Sequence, residues 1–163
     1  MSIRNAAKAL IIKDDKILLN KCKNSTGYYF GEIHPENLYY DLPGGGQNQY
    51  ETIEEAVIRE CLEETGYSVI VKRLVALYEE IMVDAELSKF CPDYVHKIYF
   101  IFLCHVESED LKSITEIDID QISTEWINIK EISSIKLHPS IIKDNLVSIL
   151  NSDDLKFMGS RKI

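Results

Sequence analysis

Glu60, Glu63 and Glu64 fall on one turn of the stretch RECLEETG, residues 59–66, which reads as helix. Like charges three and four residues apart destabilise an isolated helix by about 0.2–0.5 kcal/mol per pair. The chain therefore concentrates negative charge where the helix itself gains nothing from it. A glutamate-rich turn is commonly a solvated face, but two features of this one point toward chemistry. The acidic arc borders an apolar stripe of Val57, Ile58, Cys61 and Leu62, expected to face the core, so part of the arc must lie near the interior. It also follows Gly44, Gly45 and Gly46, whose bare backbone can come close to the helix start. Carboxylates at i, i+3 and i+4 on a rigid helix can converge on a hard divalent cation. Mg²⁺ takes such oxygens together with waters and substrate phosphates. A carbonyl of the glycine turn could add a further oxygen, and the cation would relieve the repulsion. Arg59 is expected either to be a surface charge or to form an intrahelical ion pair, or else to neutralise and orient the neighbouring carboxylates.

The elements that must position these groups can be read around them. Thr52 and Glu55 have capping-box spacing, residues 53–65 are rich in helix formers, and Gly66 suits the C-terminal cap. The segment AAKALIIKDDKILLNKC reads as a hairpin turning at Asp14 and Asp15. NSTGYYFGEIHPENLYY reads as a surface loop leading into a strand near Tyr39, and DLPGGGQNQYE as loop. SVIVKRLVALYEE reads as a strand, or two with a bend, and HKIYFIFLCHV as an uninterrupted strand. IMVDAELSKFCPDY is a polar connection, ESEDLKSITEIDIDQIST an acidic loop, EWINI a short strand and KEISSI a short helix. LHPSIIKDNLVSIL reads as a helix beginning after Pro139, and the last dozen residues as frayed. Hairpins and strands with two main helices indicate an α/β fold, with helices packed on a mixed sheet.

The 163 residues suit one domain, 1–163, with 45% hydrophobic and 28% charged residues. A net charge of −9 argues against a general nucleic-acid or membrane-surface binder. It does not exclude a phosphate-bearing substrate neutralised by a metal. Cys22, Cys61, Cys91 and Cys104 are widely spaced and read as small structural thiols rather than a disulfide or zinc site. No signal-peptide layout or membrane-length apolar run is present, so a reducing cytoplasm is the expected compartment.

Gly45, five residues, Glu51, seven residues, then Arg59-Glu60-Cys61-Leu62-Glu63-Glu64-Thr65-Gly66-Tyr67 resembles the Nudix box, G-x5-E-x7-R-E-U-x-E-E-x-G-U, where U is a bulky aliphatic residue. Every fixed polar and glycine position is present. Cys61 and Tyr67 occupy the two U positions, and the preceding LPGG is also similar to the family. The likeness extends loosely over the opening hairpin, HKIYFIFLC, EWINI and LHPSI. It implies an α/β/α sandwich with a mixed β-sheet. It also implies hydrolysis of a nucleoside diphosphate linked to another moiety (ADP-ribose, a nucleotide sugar or a nucleoside triphosphate) with Mg²⁺ or Mn²⁺. By the same resemblance Glu60 and Glu64 are the main metal ligands. Glu63 serves a further ion directly or through water, and the Gly44 carbonyl is a backbone ligand. Arg59 and Glu51 support the cluster. The general base is a box glutamate or one of Glu116, Asp118 and Asp120 in the later loop. Gly45 and Gly46 are candidate substrate contacts.

Substrate selection is expected outside the box. Tyr28, Tyr29, Phe30, Tyr39 and Tyr40 crowd the preceding loop, and Tyr39 and Tyr40 adjoin the glycines. Such rings can stack on a nucleobase, worth about 1–3 kcal/mol per base, or they can pin the loop or cover a homodimer interface. His34, His96, His105 and His138 are scattered, and nine residues separate His96 from His105, placing them on opposite faces of a strand. That argues against a histidine metal cluster. The proline found some fifteen residues past the box in many ADP-ribose hydrolases is replaced by Ile81, Met82 and Val83, and no signature of NADH or coenzyme A hydrolases is seen. The acidic charge makes long RNA the least favoured substrate. A catalytically silent nucleotide sensor of the same fold is the alternative. A plain interaction domain would leave the joint spacing unexplained.

Overall fold

Asp14 and Asp15 both take positive φ, 50° and 58°, as a two-residue hairpin turn requires and as Asp tolerates. They join β1 (Arg4–Lys13) to β2 (Lys16–Lys23). The computed structural model describes residues 3–23, 38–83, 88–89, 92–110, 114–115 and 120–163. Within these, β3 (Leu38–Asp41), α1 (Ile53–Thr65), β4 (Tyr67–Ile81), β5 (His96–Glu109) and β6 (Gln121–Asn128) follow in turn. A 3₁₀ turn at Ile129–Ser134, β7 (Leu137–His138), α2 (Ser140–Leu150) and β8 (Lys156–Lys162) complete the chain. Tyr28, Tyr29, Phe30, His34, Cys91, Glu116 and Asp118 lie outside the described residues.

Among the described residues the strands form one mixed sheet in the order β7-β3-β2-β1-β5-β4-β8, with β6 paired to β2. β1 runs parallel to β5 from Arg4↔Lys97 to Ile11↔Cys104. It meets β2 only near the turn, at Ile12↔Ile17 and Lys13↔Lys16. The rest of that β1 edge is taken by the glycine loop. Ala7 N donates to Gly45 O (2.8 Å), Ala9 N to Pro43 O (2.9 Å) and Gln47 N to Asn5 O (3.1 Å). The segment that composition marks as loop is thus pinned to the sheet like a strand, because β1 has backbone groups there that need partners. β4 is a single strand with register shifts at Ser68/Val69, Val71/Arg73 and Leu74/Ala76, which settles the choice between one strand and two.

Alternation along β1 and β5 feeds two cores. Ala7, Ala9, Ile11, Phe102 and Cys104 pack with Val57 and Cys61 of α1. Ala6, Leu10, Tyr99 and Ile101 pack with Ile142, Leu146 and Ile149 of α2. Helices on two faces of a mixed sheet make the α/β/α sandwich that the resemblance implied. Cys22, Cys61 and Cys104 are all buried, as small structural cysteines are expected to be.

Three expectations need correction. The stripe on α1 is rotated: Ala56, Val57 and Cys61 are buried together with Glu64, whereas Ile58 is exposed and Leu62 half-buried. The inward face runs through 57, 61 and 64, so a carboxylate occupies an apolar helix position. The acidic stretch is not loop at its two ends, since β5 extends to Glu109 and β6 starts at Gln121. Pairing of Tyr67 with Glu109 and of Cys22 with Gln121 supplies the backbone partners that hold these polar ends in the sheet. Nor is the end of the chain frayed. β8 pairs parallel with β4 from Ala76↔Lys156 to Ile81↔Lys162, and its polar side chains suit an exposed sheet edge.

A cluster of charges surrounds Tyr99. Lys8 Nζ lies 3.2 Å from Asp41 Oδ2 and donates to Leu42 O at 2.9 Å. Glu80 Oε1 accepts from Tyr99 (3.2 Å) and lies 3.4 Å from Lys97 Nζ and 3.5 Å from His138 Nε2. His138 Nδ1 is 3.6 Å from Asp41 Oδ1. Burial alone would raise both carboxyls. His138, Lys97 and Tyr99 outweigh it for Glu80, as Lys8 and His138 do for Asp41, and hold each at about 2. A depressed folded value contributes stability that is present above the unfolded pKa, near 4, and is lost as pH falls through the folded one. Unfolding free energy measured with denaturant should therefore drop between pH ~4 and pH ~2. The Glu80→Gln variant should show a shallower slope in that window, and an unchanged slope would contradict the assignment.

Candidate functional site

Both halves of the capping box form. Thr52 Oγ1 accepts from Glu55 N (3.2 Å) and Glu55 Oε2 accepts from Thr52 N (2.7 Å). Gly66 closes α1 in the left-handed region, φ 74°, with its N–H on Leu62 O at 2.9 Å. The helix is thereby fixed at both ends against the loop that precedes it.

Arg59 is the hub of the site. Its Nη2 and Nε grip Glu51 in a fork, 2.8 Å to Oε1 and 3.1 Å to Oε2. Nη1 donates to Glu60 Oε1 (2.9 Å) and Glu63 Oε2 (3.0 Å), and Nη2 also reaches Gly46 O (3.1 Å). The hydrogen bonds that Arg59 donates to Glu51 hold that carboxyl below its ordinary range and push the guanidinium further up. The geometry includes the intrahelical ion pair with Glu63 and also reaches beyond the helix to Glu51 and Gly46.

Glu60 is half-buried, and burial pushes its carboxyl up despite Arg59. It lies against bare backbone: a Cβ on Gly45 would stand 2.5 Å from Glu60 Oε2. Glu64 is 5% exposed, and its Oε2 accepts from Asn20 Nδ2 (2.8 Å) and Gly44 N (2.9 Å). Gly44 has φ 122°, and a Cβ there would run into the Ala7 carbonyl, so only glycine presents this amide to Glu64.

The carboxylates are not gathered on one empty point. Glu60 and Glu63 turn to Arg59, Glu64 turns to β2, and among the described residues no group of three His, Cys, Asp or Glu side chains is poised around a metal. The donor chemistry still fits a hard cation. Every group is a carboxylate or carbonyl oxygen, and a cation would favour the charged form of Glu60 that burial disfavours.

The other expected residues are placed as follows. Gly45 O accepts from Ala7 and Gly46 O from Arg59, so both carbonyls already serve the loop. Tyr39 is 7% exposed and cannot offer a ring face, because strand alternation turns it inward. Tyr40 is half-buried, donates to Glu125 Oε2 (2.9 Å) and lies beneath Lys21. Asp120 stands at the start of β6, with its carbonyl on Lys23 N (2.7 Å). Thr115 N donates to Glu63 O (3.1 Å), which joins Thr115 to α1. Asn20, Gln121 and Thr124 are the site-forming residues that sequence reasoning missed. The one available signal was a polar residue inside the apolar run KILLNKC.

The NUDIX domain family matches residues 3–145. An ADP-ribose pyrophosphatase of Methanocaldococcus jannaschii is 33% identical over 140 residues, 85% of this chain and 70% of that one. A Caenorhabditis elegans protein named as a nudix hydrolase is 36% identical over 96 residues, 59% of this chain but only 22% of the other. A solved NUDIX hydrolase structure from Nitrosomonas europaea superposes with TM-score 0.67 at 22% identity, covering 91% of this chain and 88% of that one, a likeness of fold.

Replacing Arg59 by Met removes the donor that Glu51, Glu60 and Glu63 share, and leaves Glu51 with the amide of Asn48. The expected loss is about 1–3 kcal/mol of unfolding free energy, read by denaturant titration at neutral pH. A variant within about 0.5 kcal/mol of the native chain would contradict the hub role.

Proposed function

The chain belongs to the NUDIX domain family, and we propose that it is a divalent-metal-dependent pyrophosphohydrolase of nucleoside diphosphates linked to another moiety, with ADP-ribose the first substrate to test. The observation that carries this reading is the row of box carboxylates, with Glu60 packed against the bare backbone of Gly45 and Glu64 fixed by Gly44. The similarity to the M. jannaschii ADP-ribose pyrophosphatase supports the substrate class.

Glu60 and Glu64 would hold Mg²⁺ or Mn²⁺, with Glu63 and the Gly44 carbonyl as further oxygens. Such an ion, when bound, neutralises phosphate charge and lowers the pKa of coordinated water. The chain's own contribution is positioning. Arg59 holds Glu60 and Glu63 through one nitrogen, and Glu51 anchors Arg59 beside the glycine loop. Water adds to one phosphorus of the pyrophosphate while the bridging oxygen leaves with the other. The proton of that water goes to a carboxylate, either a box glutamate or one of Glu116, Asp118 and Asp120. The bond from Thr115 to Glu63 supports the loop as its source. The net charge of −9 keeps long RNA the least favoured substrate. Tyr40 is the remaining stacking candidate of the two tyrosines beside the glycines.

The test is product release from ADP-ribose, a nucleotide sugar and a nucleoside triphosphate, each with Mg²⁺, Mn²⁺ or EDTA. Metal-dependent release of AMP and ribose 5-phosphate from ADP-ribose is expected. No turnover of any substrate, with nucleotide still raising the melting temperature, would overturn the proposal in favour of a silent sensor. In the same assay Glu64→Gln should lower kcat by roughly 10²–10³, the scale of removing one preorganised electrostatic group. Near-native kcat in that variant at saturating Mg²⁺ would remove Glu64 from the site.

A further inference from the structure

Asn20 sits in the middle of β2 at 4% exposure. A buried amide is costly unless its polar atoms are bonded. Here they are spent in a directed chain. Nδ2 donates to Glu64 Oε2 (2.8 Å), and Oδ1 accepts from Thr124 Oγ1 (3.1 Å). Thr124 stands directly opposite Asn20 in the β2–β6 ladder. Its hydroxyl accepts from Gln121 Nε2 (3.2 Å), and the same nitrogen donates to the Glu64 carbonyl (3.0 Å).

Donor and acceptor chemistry gives this chain one sense. With the Thr124 oxygen accepting from Gln121, its single proton points to Asn20 Oδ1. A flipped Asn20 amide would set two acceptors, its own oxygen and a Glu64 carboxylate oxygen, at hydrogen-bonding distance from each other. Asn20 must therefore present its NH₂ to Glu64. Gly44 N donates to that same Oε2 from a loop pinned to β1. Two donors on one oxygen, from separate elements, fix the plane of the carboxylate.

We propose that Asn20, oriented by Thr124 and Gln121, is a positioning residue that aims the Glu64 carboxylate for catalysis. The inference rests on the reading of Glu64 as a working carboxylate. It adds a distant strand pair, β2 and β6, to the parts of the molecule that set the rate. Asn20 acts through Glu64 alone, so its loss affects turnover and metal activation rather than nucleotide affinity.

The experiment measures kcat, KM for ADP-ribose and the half-saturating Mg²⁺ concentration for the near-isosteric Asn20→Leu and Thr124→Val, their double variant and Glu64→Gln. Loss of such a supporting hydrogen bond typically costs about 10–100-fold in metal affinity or activity. Asn20→Leu should fall in that range in kcat with KM within about threefold of native. Thr124→Val, a β-branched replacement that suits a strand, should lose kcat in the same direction with KM unchanged. The double variant should be no worse than Asn20→Leu, since coupled residues are not additive. Native kcat in folded Asn20→Leu, additive losses in the double variant, or losses confined to KM would overturn the inference. If Asn20→Leu does not fold, Thr124→Val decides alone: lowered kcat at unchanged KM supports the inference, and native kcat overturns it. Glu64→Gln separates the two levels. Full activity there defeats the underlying reading of Glu64, whereas an inactive Glu64→Gln beside native Thr124→Val defeats only the role of Asn20.

Discussion

One guanidinium holds the site together. Arg59 contacts Glu51, Glu60, Glu63 and the Gly46 carbonyl, and so ties the glycine loop to the second half of α1. A fork of planar donors is needed for this, since a lysine ammonium cannot engage a carboxylate bidentately and still reach two others. The like-charge repulsion that the glutamates impose on their helix is answered from within the same turn. The spacing of Arg59, Glu60 and Glu63 is therefore a local electrostatic unit, and a loop–helix joint as well.

The sheet carries the other half of the constraint. The glycine loop hydrogen-bonds along β1 as a strand would, which fixes the height at which Gly44 and Gly45 face the helix. Gly45 admits Glu60 because it has no Cβ, and Gly44 gives its amide to Glu64 from a backbone conformation that a side chain would not allow. Glu64 then occupies a position on α1 that packing would otherwise give to an apolar residue. Asn20 receives it from β2. A burial cost of this kind persists where surrounding groups over-determine it, and such places are commonly functional.

What the sequence discloses, and what it hides, divides by distance along the chain. The capping box, the Gly66 cap, the hairpin turn and the spacing of residues 45–67 are local, and each residue there has a short-range chemical reason to be what it is. Asn20 is bonded to a glutamate 44 residues away and to a threonine 104 residues away, and no pattern in KILLNKC names either partner. The rotation of α1 is hidden for a related reason. Hydrophobic counting favours Ile58 and Leu62 for the interior, while the polar welcome prepared for Glu64 by β2 and the loop turns the helix the other way. β8 was missed because its polar composition reads as a tail, whereas a sheet edge asks of its last strand little more than backbone groups and soluble side chains. The stacking role expected of Tyr39 failed on strand parity, which places it inside.

Thermal unfolding of the nucleotide-free protein across a Mn²⁺ titration is the measurement that decides whether Glu60 and Glu64 of α1 hold a divalent cation. A ligand of the folded state raises the melting temperature in proportion to the logarithm of its concentration above Kd. The melting temperature of the native chain should rise, and that of the Glu60→Gln, Glu64→Gln double variant should stay flat. A native chain indifferent to Mn²⁺, or a double variant stabilised as strongly as the native chain, would contradict the cation site.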